Sequence, residues 1–490
     1  MSTAVEVIFL GLLAYFLVLN ALYLGVTVVA LIQLHLQRGR SYIELGRLSA
    51  SAATLPVSIV VPAYNEAAIL RDSVTALLAL TYPEFEVIVV NDGSSDSTLA
   101  TAIRDFALEP QDVFHPTPLG TARVRGVFRS RRHPRLWVID KENGGWADAL
   151  NAGLNLARYP FVAHVDADCY LETDSLLRLM RPINFAPDET IIVAATIRVA
   201  NGLEITDGQI ASVSLPRSLV ERFQLVEYLS AFVLNRLGWS ALNSIPVVSG
   251  AGGVWPKRVL MELGGFSTKV THADIEVTLH AHAMLRARGV PYRIINAPDA
   301  TIWTQVPMTW HDLKVQRKRW QRVVFEMLWK YRCVILNPRY DYFGMVCMPY
   351  LLVYEGLGPF IEAFSYAFVV VLAVLGWLSL KAAVVFMCFS FGMTAVIRIL
   401  SLLADVLYFK SHARRSLLTL SAVAFLEPLV YHLAVLGHRM LALLEFLRGR
   451  RTHETMVRKA IAGDIPAGLD RVASGGVSAR TVIGSNVRED

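Results

Sequence analysis

Cysteine is scarce: Cys169, Cys333, Cys347 and Cys388 are scattered over 490 positions without the spacing of a metal site. Reduced, buried thiols are therefore expected. Charge is missing over long stretches as well. Val7 to Leu34 carries none and Tyr342 to about Leu447 carries little, in a chain that is 54% hydrophobic with a mean hydropathy of +0.43. That distribution excludes an ordinary soluble protein and describes membrane segments flanking a soluble middle. No Ala-x-Ala site follows the first stretch, and its 28 residues exceed the roughly 7–15 of a signal-peptide core, so it reads as a retained transmembrane helix. A motif that reads nucleic acid is also lacking. The net charge of +6 is assigned to membrane flanks, and no nucleic-acid partner is expected.

Only Glu6 precedes the first apolar run, whereas Arg38, Arg40 and Arg47 follow it, which places the middle domain in the cytoplasm at the plasma (inner) membrane. There, strand and helix patterns alternate: Pro56–Pro62, Phe85–Val90, Leu136–Asp140 and Phe161–Val165 as strands, Glu66–Leu80, Ser97–Phe106 and Trp146–Leu156 as helices. Asp96 or Ser97 is placed to cap the second helix. Such alternation predicts a parallel sheet with helices on both faces. Glu109–Pro134, with Arg123, Arg125, Arg129, Arg131 and Arg132, reads as a long solvated loop, with a grip on lipid headgroups or substrate as the alternative.

Phe161–Val165 ends at Asp166 and Asp168, two carboxylates whose spacing points both to one side of an extended strand. They read either as a solvated acidic turn or as a hard oxygen site for Mg2+ or Mn2+ carrying a phosphate-rich ligand. Ligands of parallel sheets gather beyond the carboxyl ends of strands, where Asp92 falls too. Asn143-Gly144-Gly145 opens a helix, as a phosphate-binding turn or a plain one. Asp274 stands near the start of the helix Ile275–Arg288, where it serves as a cap or as an ionised general base. Gln316, Arg319 and Trp320 share one helical face and are assigned to the site, leaving Arg317, Lys318 and Arg322 for anionic lipid. Val247–Gly253 reads as a tight loop after a strand, and the amphipathic 216–242 stretch as either membrane-facing or core.

The C-terminal apolar block divides into Tyr350–Trp377, Ala382–Phe409 and Leu417 to about Met440. Three crossings would leave the tail outside, yet Arg448, Arg450, Arg451, Arg458 and Lys459 argue that it is inside. One segment is therefore expected to be interfacial or re-entrant. Glu355, Glu362, Arg398, Asp405, Glu427 and His432 are expected to pair or to line a polar conduit.

Taken in order, Val61-Pro-Ala-Tyr-Asn-Glu66, Asn91-Asp-Gly-Ser94, Lys141-Glu-Asn-Gly-Gly145, Ala149-Leu-Asn-Ala-Gly153, Asp166-Ala-Asp168, Ser249-Gly250, Asp274 and Gln316-x-x-Arg319-Trp320 resemble the family-2 glycosyltransferases. The membrane-embedded, processive branch of hyaluronan, cellulose and poly-N-acetylglucosamine synthases is the most similar. The resemblance implies an α/β GT-A (Rossmann-like) domain and inverting transfer from a nucleotide-sugar donor, usually UDP-linked. It implies that Asp92 contacts the uridine, that Asn143, Gly144 and Gly145 lie beside the donor, and that Asp166 and Asp168 serve the diphosphate and its Mg2+ or Mn2+. Asp274 would deprotonate the acceptor, Ser249 and Gly250 would border it, and Gln316, Arg319 and Trp320 would meet the acceptor end and pyrophosphate. A single catalytic carboxylate fits direct inversion, since double displacement needs a nucleophile too.

The expected division is a transmembrane helix (1–36), a linker (37–55), the GT-A domain (56–310), an interfacial helix (311–341), a transmembrane block (342–447) and a basic, flexible tail (448–490). Three positions depart from the family pattern: Trp146 where Lys is common, Ala273 where Glu is usual, and Gln305 for a common Glu. The expected function is polysaccharide elongation coupled to export, with or without accessory subunits. The rivals are transfer of one sugar to a lipid acceptor and a non-catalytic subunit of an export complex.

Overall fold

The computed structural model describes residues 3–37, 40–49, 51, 54–113, 117–206, 209–409 and 416–448. The basic loop 410–415 and the tail from 449 onward lie outside the described residues. Helix α1 (Thr3–Gln37) contains the charge-free run. Helix α2 (Arg40–Ser49) replaces most of the expected linker, because Leu45 and Leu48 give it an apolar side that packs on the main core.

The domain is built on β1 (Val57–Ala63), β2 (Phe85–Asp92), β3 (Leu108–Gln111), β4 (Val124–Ser130), β5 (Leu136–Lys141), β6 (Phe161–Val165), β7 (Tyr170–Leu171), β8 (Thr190–Val199), a β9–β10 hairpin (Leu203–Thr206, Gln209–Val213), β11 (Gly252–Pro256) and β12 (Tyr292–Thr304). Apart from the hairpin these form one ten-stranded sheet in the order β3-β4-β5-β2-β1-β6-β11-β8-β12-β7. In β1, Ile59 and Val61 enter one core layer while Val60 enters the other, as the two-residue strand period requires. Both faces are covered, so β1 and β2 are buried throughout.

The sheet is mixed, which corrects the parallel expectation. β5, β2, β1 and β6 run parallel, as do β8 and β12, but β11 is antiparallel between β6 and β8. Gly252 and Gly253 belong to β11, so the 247–253 loop leads into a strand rather than out of one. A Cβ at these glycines would meet Ile302 Cδ1 at 2.1 Å and Val248 Cγ1 at 2.3 Å. The expected loop at 109–134 contains β3 and β4, antiparallel to each other and to β5. Its arginines are held by the sheet: Arg125 pairs with Asp140 at 3.1 Å, Arg131 with Glu109 at 3.2 Å, and Arg129 lies over Trp137.

Helices α3 (Leu70–Leu78), α4 (Thr98–Phe106), α5 (Trp146–Leu156) and α6 (Ser175–Phe185) fill the αβ connections, and the short α9 (Lys257–Glu262) follows β11. Asp96 Oδ1 accepts from the Thr98 amide at the start of α4, while Ser97 makes no capping bond. The amphipathic stretch forms α7 (Leu219–Tyr228) and α8 (Arg236–Ala241), joined by wide π-helical turns. It satisfies both readings, burying Phe223 and Val226 in the core while α8 touches α1 closely enough that a Cβ on Gly238 would meet Val26 at 2.4 Å.

Among the described residues, three helices are long and apolar enough to cross a membrane: Thr3–Gln37, Leu380–Phe409 and Ser416–Phe446. The expected span Tyr350–Trp377 falls within a pair, Phe343–Gly356 and Gly358–Val374, which together are long and apolar enough to cross but are bent by 49° at the break before Gly358-Pro359. Arg198 of β8 and Asp405, in the last turns of the helix over 380–409, form an ion pair at 2.5 Å with both side chains 2% exposed. Removing one partner leaves a buried charge. Asp405→Ala is therefore expected to lower stability by about 3–5 kcal/mol, read as thermal unfolding in detergent; a loss below ~1 kcal/mol would contradict the buried pairing.

Candidate active site

The site forms where β2, β5 and β6 end together and the loop before β11 meets the start of α10 (Ala273–Ala287). At its base lies Lys141, fully buried, whose Nζ is 2.5 Å from Asp92 Oδ1 and 2.6 Å from Asp148 Oδ1. The Asp92 carboxylate also accepts from the amides of Gly144 (3.0 Å) and Gly145 (2.7 Å), and Asn143 Nδ2 donates to the Asp92 carbonyl. Gly93 and Gly145 take φ of +67° and +89°, and a Cβ on Gly144 would strike Asp148 at 2.5 Å, so glycine is required here. Asp92 is thus a buried brace for the Asn-Gly-Gly turn, with Asn143 and Gly144 exposed above it. Three donors meet its two oxygens, and its side chain is buried beneath the turn.

The turn launches α5 with Trp146 as its first residue. The Trp146 indole Nε1 donates to Asp166 Oδ1 at 2.7 Å, and its ring meets Phe266 and His164 edge to face, with centroids 5.7 and 6.2 Å away. The departure from lysine therefore replaces an ammonium with a neutral donor. Ligand atoms of Asp166, Asp168 and Cys169 lie within 4.8 Å of one another, and Cys169 Sγ donates to Asp168 Oδ1 at 3.6 Å. Two carboxylates in that space form a donor set that fits a small hard cation. Cys169 is buried, as expected of a thiol here, whereas Cys333 and Cys388 are exposed.

Ser249 and Gly250 come beside the end of β6 because β11 pairs with it, Gly252 opposite Val165. The Ser249 carbonyl is 2.9 Å from His164 Nε2, and the Gly250 amide donates to Asp274 Oδ2 at 3.0 Å. Thr278 Oγ1 accepts from the Val248 amide and fastens the same loop to α10. Asp274 is half-buried in the first turn, and His272 takes the N-cap position without a capping bond, so Asp274 is not the cap. His272 Nδ1 lies 3.9 Å from Asp274 Oδ1. Burial pushes His272 below its ordinary 6.5, with Asp274 opposing and Arg319 reinforcing the shift. Burial also holds Arg236 down to about 10, against the pull of Asp274.

The helix α11 (Trp310–Lys330) distributes the basic motif between two environments. Arg319 is exposed and acts on His272; Trp320 is half-buried and lines a cavity of about 350 Å3; Gln316 is buried. Arg317 does not face lipid. It is buried in a two-pronged pair with Glu227 at 2.7 and 3.0 Å, bonds the Tyr431 hydroxyl and lies over the Trp320 ring. Lys318 pairs with Glu445 at 2.6 Å, which withdraws a second expected lipid contact. Ala273 is buried, where a glutamate would be desolvated.

Lys141, His272 and Arg236 were not singled out from sequence. Lys141 had a visible signal, a lone ammonium closing an apolar strand; His272 and Arg236 had none, since only the fold brings them to Asp274.

A two-carboxylate strand end, a glycine turn and a helix-start aspartate on a mixed sheet define the GT-A class. The fold matches that of the mannosyltransferase PcManGT from Pyrobaculum calidifontis in complex with GDP-Man and Mn2+, with a TM-score of 0.50 and 19% identity over 86% of this chain and 99% of that one. Residues 58–229 match the model described as "Glycosyl transferase family 2" and residues 161–403 that of "Glycosyl transferase family group 2". The chain belongs to glycosyltransferase family 2. It is 28% identical over 272 residues to a poly-beta-1,6-N-acetyl-D-glucosamine synthase of Staphylococcus epidermidis, and 26% identical over 274 residues to that of Staphylococcus aureus. Each alignment covers 56% of this chain and 55% of the relative, so the match spans about half the length of these curated relatives.

Because the folded value of His272 lies below 6.5, protonation favours the unfolded chain: this group costs no stability above that pH and destabilises as the pH falls through it. His272→Gln is expected to flatten the decline of stability between about pH 7 and 5, measured by unfolding in detergent. An unchanged slope would place His272 in contact with solvent.

Proposed function

We propose that the chain transfers a sugar, with inversion, from a UDP-sugar to a growing polysaccharide on the cytoplasmic face of the plasma membrane. The observation that carries this reading is that Trp146, bonded to Asp166 of the Asp166–Asp168 pair at the end of β6, packs beside Gly250, whose amide holds Asp274, so the pair and Asp274 border one site. Asp166 and Asp168 would hold Mg2+ or Mn2+, whose charge would offset that of the leaving diphosphate. The Gly144–Gly145 turn borders the donor, Arg319 meets the pyrophosphate, and Ser249 and Gly250 border the acceptor. Asp274 takes the proton of the attacking hydroxyl as its oxygen bonds the anomeric carbon and the nucleoside diphosphate departs. The name of the relatives makes N-acetylglucosamine the first donor to test.

Export through the chain's own helices is the second half of the reading. The cavity is lined by Trp320, Tyr23 and Tyr366, aromatic planes suited to sugar rings, and by Asn20 and Ser390, of which Asn20 Nδ2 and Ser390 Oγ are buried without a partner. Its charges occur in pairs: Glu227 with Arg317, Glu427 with Arg398, Glu355 with Arg439, Glu362 with His432. With the bent pair lying in the bilayer rather than crossing it, two C-terminal crossings return the chain to the side of the domain. On that reading the basic tail lies on the cytoplasmic side, as its charge favours.

Membranes incubated with radiolabelled UDP-sugars and Mg2+ or Mn2+ are expected to yield a ladder of product sizes that EDTA abolishes. A single sugar on lipid would replace elongation by the non-processive rival, and no transfer from any donor would favour the non-catalytic one. Asp274→Asn is expected to reduce transfer by about 10²–10⁴-fold while UDP binding persists; transfer near the wild-type rate would remove Asp274 as the base.

A further inference from the structure

Trp146 stands between the two halves of the chemistry. Its N–H occupies one oxygen of Asp166, and its ring edge closes on Gly250, where an added Cβ would lie 3.2 Å from Trp146 Cζ2 and 3.5 Å from Asp274 Oδ2. The ring is itself wedged by Phe266 and His164, which are 5.8 Å apart and edge to face with each other. The indole has little room to turn, and it is anchored through Gly145 to the buried Lys141 brace. A carboxylate oxygen that accepts from a fixed donor keeps a second lone pair but is a weaker ligand for a cation, so the plane of Asp166 is set and its other oxygen is the stronger ligand.

We propose that Trp146 is a positioning residue that makes Asp166 a one-oxygen ligand and thereby sets which divalent cation the site accepts. This rests on the reading of Asp166 and Asp168 as the cation site. Mg2+ and Mn2+ are small, favour octahedral surroundings and take carboxylates through one oxygen, whereas Ca2+ takes six to eight oxygens and readily uses both of a carboxylate's. An indole donor at Asp166 thus disfavours the larger ion. A lysine there would act differently, since its charge repels any cation beside it.

The test is Mn2+ binding to the purified full chain in detergent, followed by electron paramagnetic resonance of free and bound Mn2+, with Ca2+ as competitor. Wild type is expected to bind Mn2+ saturably, with Ca2+ displacing it only at large excess. Trp146→Phe, which keeps an aromatic ring and removes the N–H, is expected to weaken Mn2+ about tenfold and to let Ca2+ compete at a several-fold lower ratio. The ratio is read within the Mn2+-binding population, so partial unfolding does not alter it. If the smaller ring prevents folding altogether, benzothienylalanine at position 146, isosteric with tryptophan but without a donor, makes the same comparison. Unchanged Mn2+ affinity and unchanged Ca2+ competition in the variant that folds would overturn the proposal while leaving the cation site standing. Wild-type Mn2+ binding that Asp166→Asn and Asp168→Asn both leave intact would overturn the site and the proposal together.

Discussion

A single buried ammonium, that of Lys141, holds the Asp92 and glycine-turn side of the site together. Burying a lysine costs several kcal/mol unless the charge is met, and here it is met by Asp92 and Asp148 at once, with the Glu142 carbonyl as third acceptor. Two negative charges around one positive charge leave a surplus, and the Gly144 and Gly145 amides at Asp92 and the Ala122 amide at Asp148 absorb it. Those amides fix the turn, the turn fixes the first residue of α5, and that residue reaches Asp166. The β2, β5 and β6 ends are therefore one electrostatic unit rather than three neighbouring motifs.

On the Asp274 side the organising element is the antiparallel strand β11. By pairing with β6 it carries Ser249 and Gly250 to the carboxylates, and the same loop is tied to α10 by Asp274 and Thr278. From there α11 leads toward the membrane. Arg319 lies on the Asp274 side, while Trp320, stacked on Arg317, lies at the cavity. One helix thus touches both the reacting groups and the space into which a product would move. Arg317, Arg398 and Arg439 are each neutralised by a glutamate in that space, which is how so many cations lie deep in an apolar block.

Much of this was legible in the chain itself. Strands β1, β2, β5 and β6 could be read because buried strands are continuous β-branched runs, and their ends because carboxylates and glycines interrupt those runs. The β3–β4 addition was not legible, since edge strands bury one side only and their arginines imitate a solvated loop. Arg317 was misassigned for a related reason: helical spacing ranks faces, but it cannot show that Glu227, 90 residues earlier, occupies the face opposite. The bend at Gly358-Pro359 was visible as a break in sequence, yet only the fold turns it into a 49° change of direction. Trp146 was recognised as a departure; its partner Asp166, 20 residues on, required the geometry.

The central claim is that one carboxylate, Asp274, activates the acceptor opposite a diphosphate held at Asp166 and Asp168, in a single displacement. The configuration of the new glycosidic bond tests it most directly. With an α-linked UDP-sugar donor, nuclear magnetic resonance of the isolated product is predicted to show the β-anomer throughout. A product with retained α-configuration would require a covalent or front-face route and would contradict the account.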